Sequence, residues 1–244
     1  MNTRIRTERK WRTAKTIMGE LHIPILEAFV ELEAFDRDGK RVQHHRERTH
    51  TWVRNAYNHL FAQVSGKGAT GSATFGAGEL NAKDTGGVIR GTAGDGFGLP
   101  CGAAGTSYSW DTVGQRGYRA GAGIDTFGIW VGSGVTAESF EDYALATKIV
   151  NGTGAGQLSY AQGEANALTY NAGTKVLQNQ VIRYFNNNSG ADIGVNEVGI
   201  IAAGSYSNSS ANYLMDRTKL GATVTVPNTG QLKVTYSFQL TYLA

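Results

Sequence analysis

The final segment of the chain alternates apolar and polar side chains more regularly than any other part of the sequence. From Leu232 to Tyr242 every second residue is leucine, valine, tyrosine or phenylalanine, and the residues between them, from Lys233 to Thr241, are polar. Successive side chains of a β-strand point to opposite faces, so this pattern predicts a strand with one buried face. Residues 227–230, Pro-Asn-Thr-Gly, have the composition of a turn that introduces the strand.

Several further segments predict short strands separated by turn residues. Residues 29–35, FVELEAF, alternate in the same way, residues 36–40 supply turn chemistry, and residues 41–48 return as the partner strand of a hairpin. After Asp125 the composition predicts four more strands, separated by Gly, Asn or Ser. They are residues 126–131, 175–185, 193–201 and 213–216.

One helix is predicted, over residues 51–64, TWVRNAYNHLFAQV. Thr51 has the side chain to cap its start and Gly66 the backbone freedom to end it. Five apolar residues share one face at helical spacing, which is typical of an amphipathic helix. They are Val53, Tyr57, Leu60, Phe61 and Val64.

These elements predict a mainly β protein, an antiparallel β-sandwich of jelly-roll-like form with one short helix and long Gly-rich loops. Residues 1–18 are expected to be a basic N-terminal arm, and residues 19–244 a single β-sandwich domain. Residues 65–123 contain clusters of glycine around short strand-like stretches and are expected to form a long loop or inserted region. Such regions are usually functional, disordered or ordered by a partner.

The composition limits the classes of protein to which the chain can belong. Among its 244 residues is one cysteine, Cys101, so an internal disulfide is excluded and no metal-ligand spacing of cysteines exists. No apolar run of about 18 residues is present, and no apolar stretch follows the basic start. We therefore expect a soluble protein made in a cytoplasm, with no membrane as partner.

The N-terminal arm carries a cluster of positive charge that a partner would recognise. Its basic residues are Arg4, Arg6, Arg9, Lys10, Arg12 and Lys15, against Glu8 as the one acid. Two interpretations are open, binding to nucleic acid with Trp11 stacking on a base, or docking on an acidic neighbouring subunit. A formal net charge of only +3 favours the second, and nucleic acid is not expected as a partner.

Motifs for cofactors and metals give weak signals. Residues 66–71 fit G-x-G-x-x-G, but they follow a predicted helix instead of joining a strand to a helix, so no cofactor is expected. His44, His45 and His50 form a histidine cluster, yet neighbours on a strand point to opposite faces, and no metal is expected there. Residues 36–39, Asp-Arg-Asp-Gly, favour a hairpin turn over a calcium loop because the downstream Glu is missing.

Two groups of residues could bind or cleave a sugar. Glu138, Glu141 and Asp142 are candidate paired acids for glycoside hydrolysis, although three acids so close together more often form a solvated rim. A stacking platform for a glycan would use three aromatic residues, although aromatics of β proteins are more often core. They are Trp110, Tyr118 and Trp130.

Residues 183–200, RYFNNNSGADIGVNEVGI, predict a hairpin. The chain would leave one strand, turn on residues 187–190 and return from residue 193, since Asn and Gly tolerate the positive φ angles of a tight turn. Arg183 and Glu197 would then lie on adjacent strands and form a cross-strand pair. Asn187 also begins an Asn-X-Ser triplet, but with no secretory signal visible glycosylation is the weaker interpretation.

The C-terminal half resembles a group of structural proteins from tailed bacteriophages. The resemblance depends, in order, on GIWVGSG, FEDYALATKI, NGTGAGQLSY, VIRYFNNNSGADIGVNEVGI, YLMDRTKL and VTVPNTGQLKVTYSFQL. In that group a hairpin with an Asn-Asn-Ser-Gly tip precedes an Asn-Glu-Val-Gly strand, and Val-Pro introduces the last strand. The segment TWVRNAYNHLF and residues 83–90, KDTGGVIR, are also similar to that group.

The resemblance implies a non-enzymatic structural component of a tailed-phage virion, which decorates the capsid or forms part of the tail as a homo-oligomer. Expected partners are other copies of the chain and other virion proteins, such as a major capsid or tail protein. The expected location is the virion, after synthesis in the host cytoplasm. Two alternatives stay open, a carbohydrate-binding or host-receptor-binding module on the aromatic platform and, behind it, a glycan-cleaving enzyme.

Overall fold

The computed structural model describes residues 3–49, 51–65, 80–90, 113, 117–206 and 209–242. These residues form two helices and eleven strands. The helices are α1 Thr3–Glu20 and α2 Arg54–Ser65. The strands are β1 Ile25–Phe35, β2 Arg41–Arg48, β3 Ala82–Lys83, β4 Ile89–Arg90, β5 Gly128–Gly132, β6 Ser159–Tyr160, β7 Ala167–Asn171, β8 Val176–Asn186, β9 Ile193–Tyr206, β10 Ser209–Val226 and β11 Gln231–Thr241.

The strands form two larger antiparallel sheets and a small one. The six-stranded sheet has the order β2-β1-β11-β8-β6, and β7 also pairs with β8 on the side where β6 lies. The three-stranded sheet has the order β10-β9-β5, and β3 pairs with β4. The predicted mainly β, antiparallel sandwich is thereby confirmed.

The core lies where the two larger sheets pack against each other. Val30 and Leu32 of β1 and Tyr236 of β11 come from the six-stranded sheet, and Val198 and Ile200 of β9 come from the three-stranded sheet. All five have no exposed surface. The alternation that predicts β1 and β11 therefore marks the face that each strand turns to the core.

The predicted hairpin of residues 29–48 is confirmed as β1 and β2. In its turn, Asp36 Oδ1 accepts hydrogen bonds from the backbone N–H groups of Asp38 and Lys40, at 3.0 and 2.9 Å. Gly39 has a φ of 76°, which a residue with a side chain rarely adopts. The Asp-Arg-Asp-Gly sequence therefore makes the hairpin turn.

The predicted hairpin of residues 183–201 is wrong, although both of its strands exist. β8 belongs to the six-stranded sheet and β9 to the three-stranded sheet, so residues 187–192 cross from one sheet to the other. Asn187 is fully buried, and its Nδ2 donates to the carbonyl oxygens of Ala191 and Val226, at 2.8 and 2.9 Å. The Asn187 side chain thus fastens a crossing between sheets, and its amide is not accessible to a glycan.

The helical content exceeds the prediction. Residues 1–18 are predicted to be an arm, but Thr3–Glu20 form helix α1. The helix predicted at residues 51–64 is confirmed as α2, although it begins at Arg54 and not directly after Thr51. Within the Gly-rich region, residues 80–90 form the small sheet of β3 and β4, with a turn closed by Asp84. The described part of that region therefore contains regular structure.

Candidate functional site

Arg217 and Glu197 form a buried ion pair between neighbouring strands β10 and β9. Arg217 Nε donates to Glu197 Oε2 at 2.8 Å, and only 2% of the Arg217 side chain and none of the Glu197 side chain is exposed. The other edge of the guanidinium donates to Asp142 Oδ2 at 2.7 Å and to the carbonyl oxygen of Thr136 at 2.9 Å. The predicted pair of Glu197 with Arg183 is wrong because β8 and β9 lie in different sheets.

Glu197 also fastens the loop that follows β5. Its carboxylate accepts hydrogen bonds from the backbone N–H groups of Gly134, Ala146 and Thr147, at 3.2, 3.1 and 2.7 Å. The loop passes so close that a Cβ on Gly132 would lie 2.6 Å from the carbonyl oxygen of Thr147. Gly132 and Gly134 of GIWVGSG are therefore required by the approach of this loop to a buried carboxylate.

Arg183 performs a similar function in the other sheet through backbone carbonyl groups. Its guanidinium is 1% exposed and donates to the carbonyl oxygens of Ala161, Phe127 and Gly121, at 2.9, 3.3 and 3.2 Å. It also lies 4.7 Å from the centre of the Tyr160 ring. Burial lowers the pKa of Arg183 to about 10. The side chain positions the segment of residues 121–129 against β8.

The three candidate acids for sugar cleavage each have a structural partner. Glu138 accepts a hydrogen bond from the backbone N–H of Lys219 at 2.8 Å, and Asp142 binds Arg217. Glu141 binds Arg54, whose hydrogen bond lowers the pKa of the Glu141 carboxyl group. These contacts attach the 133–147 loop to β10 and α2, which is a structural use of all three carboxylates.

The proposed aromatic platform is not assembled by the residues that the structure describes. Trp130 of β5 is a core residue with 5% of its surface exposed, and the Lys148 Nζ lies 4.2 Å from its ring centre. Tyr118 stacks on Phe238 with 6.1 Å between ring centres. Trp110 lies outside the described residues. Trp130 therefore offers no free ring face to a sugar.

An apolar cavity of about 200 Å³ lies beside α2, with Asp216 in its wall. Asp216 is 1% exposed, and its Oδ1 accepts hydrogen bonds from Thr218 Oγ1 and from the Tyr236 hydroxyl, at 2.9 and 3.1 Å. Its Oδ2 has no hydrogen-bond partner among the described residues. Burial raises the pKa of Asp216 to about 7. The remaining lining residues are Trp52, Ala56, Leu60, Tyr118, Ile200, Met215 and Phe238.

The histidines of the β1–β2 hairpin pair with carboxylates instead of with each other. His44 contacts Glu31 at 2.7 Å and His45 contacts Glu47 at 2.8 Å. Among the described residues, no group of three or more His, Cys, Asp or Glu side chains is placed to bind a metal ion. His50 and the glycine motif of residues 66–71 lie outside those parts.

One face of helix α1 packs against the hairpin of β1 and β2. Trp11 Nε1 donates to Glu27 Oε1 at 2.9 Å, and Lys15 Nζ donates to Glu27 Oε2 at 2.6 Å. The Arg48 guanidinium lies 4.5 Å from the Trp11 ring centre and 3.5 Å from Glu8 Oε2. The i, i+3, i+7 spacing of Glu8, Trp11 and Lys15 is a signal in the sequence that could have predicted this helix.

The residues predicted as an assembly arm divide into two groups. Lys15 contacts Glu27 of the same chain, whereas Arg9, Lys10 and Arg12 are exposed on α1. The side chains of Arg4 and Arg6 lie outside the described part of the chain. Helix α1 therefore presents a basic outer face while its inner face is attached to the β body.

Helix α2 turns its apolar face to solvent. Tyr57, Leu60, Phe61 and Val64 are 53%, 50%, 57% and 80% exposed. The Phe140 ring, 43% exposed, lies 5.6 Å from that of Tyr57. We call these five residues the α2 patch.

Polar contacts on the opposite side of α2 explain this orientation. Asn55 is fully buried, and its Nδ2 donates to the carbonyl oxygens of Lys83 and Leu214, at 2.9 and 3.2 Å. His59 is 2% exposed, and burial lowers its pKa to about 3. The helix therefore attaches to β3 and β10 through polar side chains, and of the predicted apolar face Val53 alone is buried.

Comparisons with known proteins give no family for the chain. No family model, curated protein or solved structure matches it. No helix in the described residues is both long and apolar enough to cross a membrane. The resemblance to tailed-bacteriophage structural proteins therefore stays a prediction from the residues.

Proposed function

We propose that this chain is a structural subunit of a tailed-phage virion, which assembles with copies of itself to decorate the capsid or to form part of the tail. The observation that carries the proposal is the α2 patch. Four of its side chains lie on one helix face with half or more of their surface exposed. A contiguous apolar patch in water is typical of a protein–protein interface, because its burial against a partner is favourable.

The buried charges support a structural function. Glu197 and Arg217 fasten one loop to the three-stranded sheet, and Arg183 fastens another to the six-stranded sheet. Such networks fix the position of loops without any group that is free to react with a substrate. A rigid β framework with fixed loops is the property that a repeating subunit needs. We therefore propose a function without catalysis.

The basic outer face of α1 indicates a second contact. Arg9, Lys10 and Arg12 are exposed, and the side chain of Arg12 is 79% exposed. A neighbouring subunit with an acidic surface, such as a major capsid or tail protein, would be attracted to this face. The contact would weaken at high salt because charges on exposed surfaces are screened.

The test of this function is the location of the chain in a culture that produces it. Particles purified on a density gradient should contain the chain as a fixed number of copies per particle, measured by quantitative mass spectrometry. The Arg9→Glu/Arg12→Glu variant should be depleted from particles while its β body stays folded by circular dichroism. A chain that stays at the top of the gradient, separate from particles, would overturn the proposal.

A further inference from the structure

Strand β7 is an open edge of the six-stranded sheet. It pairs with β8 from Ala167, opposite Gln180, to Asn171, opposite Val176, and no other described strand pairs with it. All five of its residues are exposed, including Leu168 at 67% and Tyr170 at 57%. Since β8 lies on only one side of β7, the backbone N–H and C=O groups on the other side pair with no strand in the described part of the chain.

The apolar side chains of β7 lie on the same face of the six-stranded sheet as the core residues, but outside the core. In the paired register Tyr170 lies beside Leu177, which lies beside Leu240, which lies beside Leu26. These residues share a face with the buried Val30, yet Leu26 is 42% exposed. The end of the six-stranded sheet therefore carries an apolar row that extends past the three-stranded sheet.

The usual protection of an edge strand is missing from this segment. Residues 166–174, NALTYNAGT, contain no charged residue and no proline. Natural proteins place lysine, proline or a bulge on exposed edges to prevent pairing with another chain. An uncharged edge with exposed leucine and tyrosine is therefore suited to pair with a further strand.

We infer that β7 pairs antiparallel with β7 of a second copy, so that one sheet runs through two subunits. This inference rests on the proposed self-assembly and names one of its contacts. The strand complements itself when the twofold axis passes through Thr169. Leu168 of each protomer then lies opposite Tyr170 of the other, and Ala167 opposite Asn171.

This self-complementarity is the reason for proposing a second copy of the chain as the partner of β7. Directly opposed residues of an antiparallel pair share a face, so both Leu–Tyr pairs lie on the face that carries the apolar row. The uncharged sequence avoids the repulsion that like charges would cause between identical strands. A second copy satisfies the open backbone groups and both exposed apolar side chains at once.

Cysteine cross-linking tests the pairing at its axis. Residues directly opposed in an antiparallel pair have Cα atoms about 4.5–5.5 Å apart, which is within the range of a disulfide. The Thr169→Cys variant is made in the full chain with Cys101→Ser, so that the new thiol is unique. Mild oxidation should convert most of this variant into a covalent dimer that dithiothreitol reverses.

A matched control comes from the turn after β7. Thr174→Cys in the same Cys101→Ser background is placed five residues from the axis, so its two copies would be too far apart to cross-link. Cross-linking at residue 169 no greater than at residue 174 would overturn the β7 pairing. The molar mass of both variants by light scattering separates the two proposals. An oligomer without the cross-link overturns the pairing alone, and a monomer overturns the proposed self-assembly as well.

Discussion

Arg217 Nε lies 2.8 Å from Glu197 Oε2, and this contact joins two strands and a loop at a point with almost no solvent exposure. The carboxylate holds backbone N–H groups of the loop, while the guanidinium reaches Asp142 in the same loop. Each charge is therefore satisfied by the other and by the chain segment that it fixes. Removal of Glu197 leaves Arg217 Nε and the backbone N–H groups of the loop buried without their acceptor, which is costly in a site with almost no access to water.

Glu197→Leu should lower the free energy of unfolding by about 3–5 kcal/mol, because it leaves Arg217 Nε and three backbone N–H groups buried without their acceptor, although Arg217 keeps its contact with Asp142. Urea denaturation measures the change. Glu138→Leu, which removes a carboxylate from the same loop region, should have a smaller effect because Glu138 is not among the buried residues. Equal losses of unfolding free energy in the two variants would contradict the conclusion that Glu197 stabilises this loop more than Glu138 does.

Arg183→Met should release the segment of residues 121–129, since the carbonyl oxygens of that segment lose their donor. The expected result is faster cleavage by trypsin at Arg119, with the first site identified by mass spectrometry. The guanidinium donates in several directions at once, so Arg183→Lys should restore little of the protection. If trypsin cleaved Arg183→Lys as slowly as the native chain, a positive charge at residue 183 would be sufficient to fix the segment.

Asp216 should make stability depend on pH. Its pKa is raised to about 7 by burial, from an ordinary value of 3.8, so the folded state holds this proton more tightly than the unfolded state. The resulting contribution to stability is complete below pH 3.8 and is lost as the pH rises through 7. Its full size is on the order of 4 kcal/mol.

Asp216→Asn has no such proton to lose. The free energy of unfolding of this variant, relative to the native chain, should rise between pH 5 and pH 8, measured by urea denaturation at each pH. Asp38→Asn in the exposed turn of the first hairpin is the control for loss of one carboxylate. A difference between native chain and Asp216→Asn that is constant with pH would contradict the raised pKa.

Trp11→Ala should detach α1 while the β body stays folded, because it removes the hydrogen bond to Glu27 and the contact with Arg48. Contacts of this kind contribute about 1–2 kcal/mol together, so amide hydrogen exchange in α1 should accelerate by roughly tenfold or more. Arg9→Ala, on the exposed face of the helix, should leave exchange unchanged. Unchanged exchange in Trp11→Ala would mean that other contacts hold the helix.

Strands β1, β8, β9 and β11 were predictable because their pattern is local, whereas the way in which they pair is not. Alternation locates β1 and β11, and composition between turn residues locates β8 and β9, but turn residues such as Asn187 serve equally for a hairpin and for a crossing between sheets. The Asn187 amide bonds Val226, 39 residues away, and no local pattern reveals that contact. The sequence therefore predicts where this chain turns and not which sheet it enters.

The two helices also show that local sequence patterns do not determine how an element packs: α1 was not predicted, and α2 was predicted with the wrong face buried. Helix α1 is missed because its stability depends on Glu27, 16 residues from Trp11, and not on an apolar stripe of its own. Helix α2 is found, but its apolar face is exposed because Asn55 binds the backbone of β3 and β10. Polar contacts distant in sequence thus decide both orientations, and the exposed face of α2 becomes visible only in the structure.

The most direct test of the proposed self-assembly is the molar mass of the full chain in solution, measured by light scattering after size-exclusion chromatography. The native chain should elute as a defined multiple of its own mass. Leu60→Ser/Phe61→Ser should reduce that mass with an unchanged circular dichroism spectrum, because it removes apolar area from the α2 patch. Val42→Ser, at a half-exposed position on β2, should not reduce it. A native chain with the mass of one copy at every concentration would contradict the proposal.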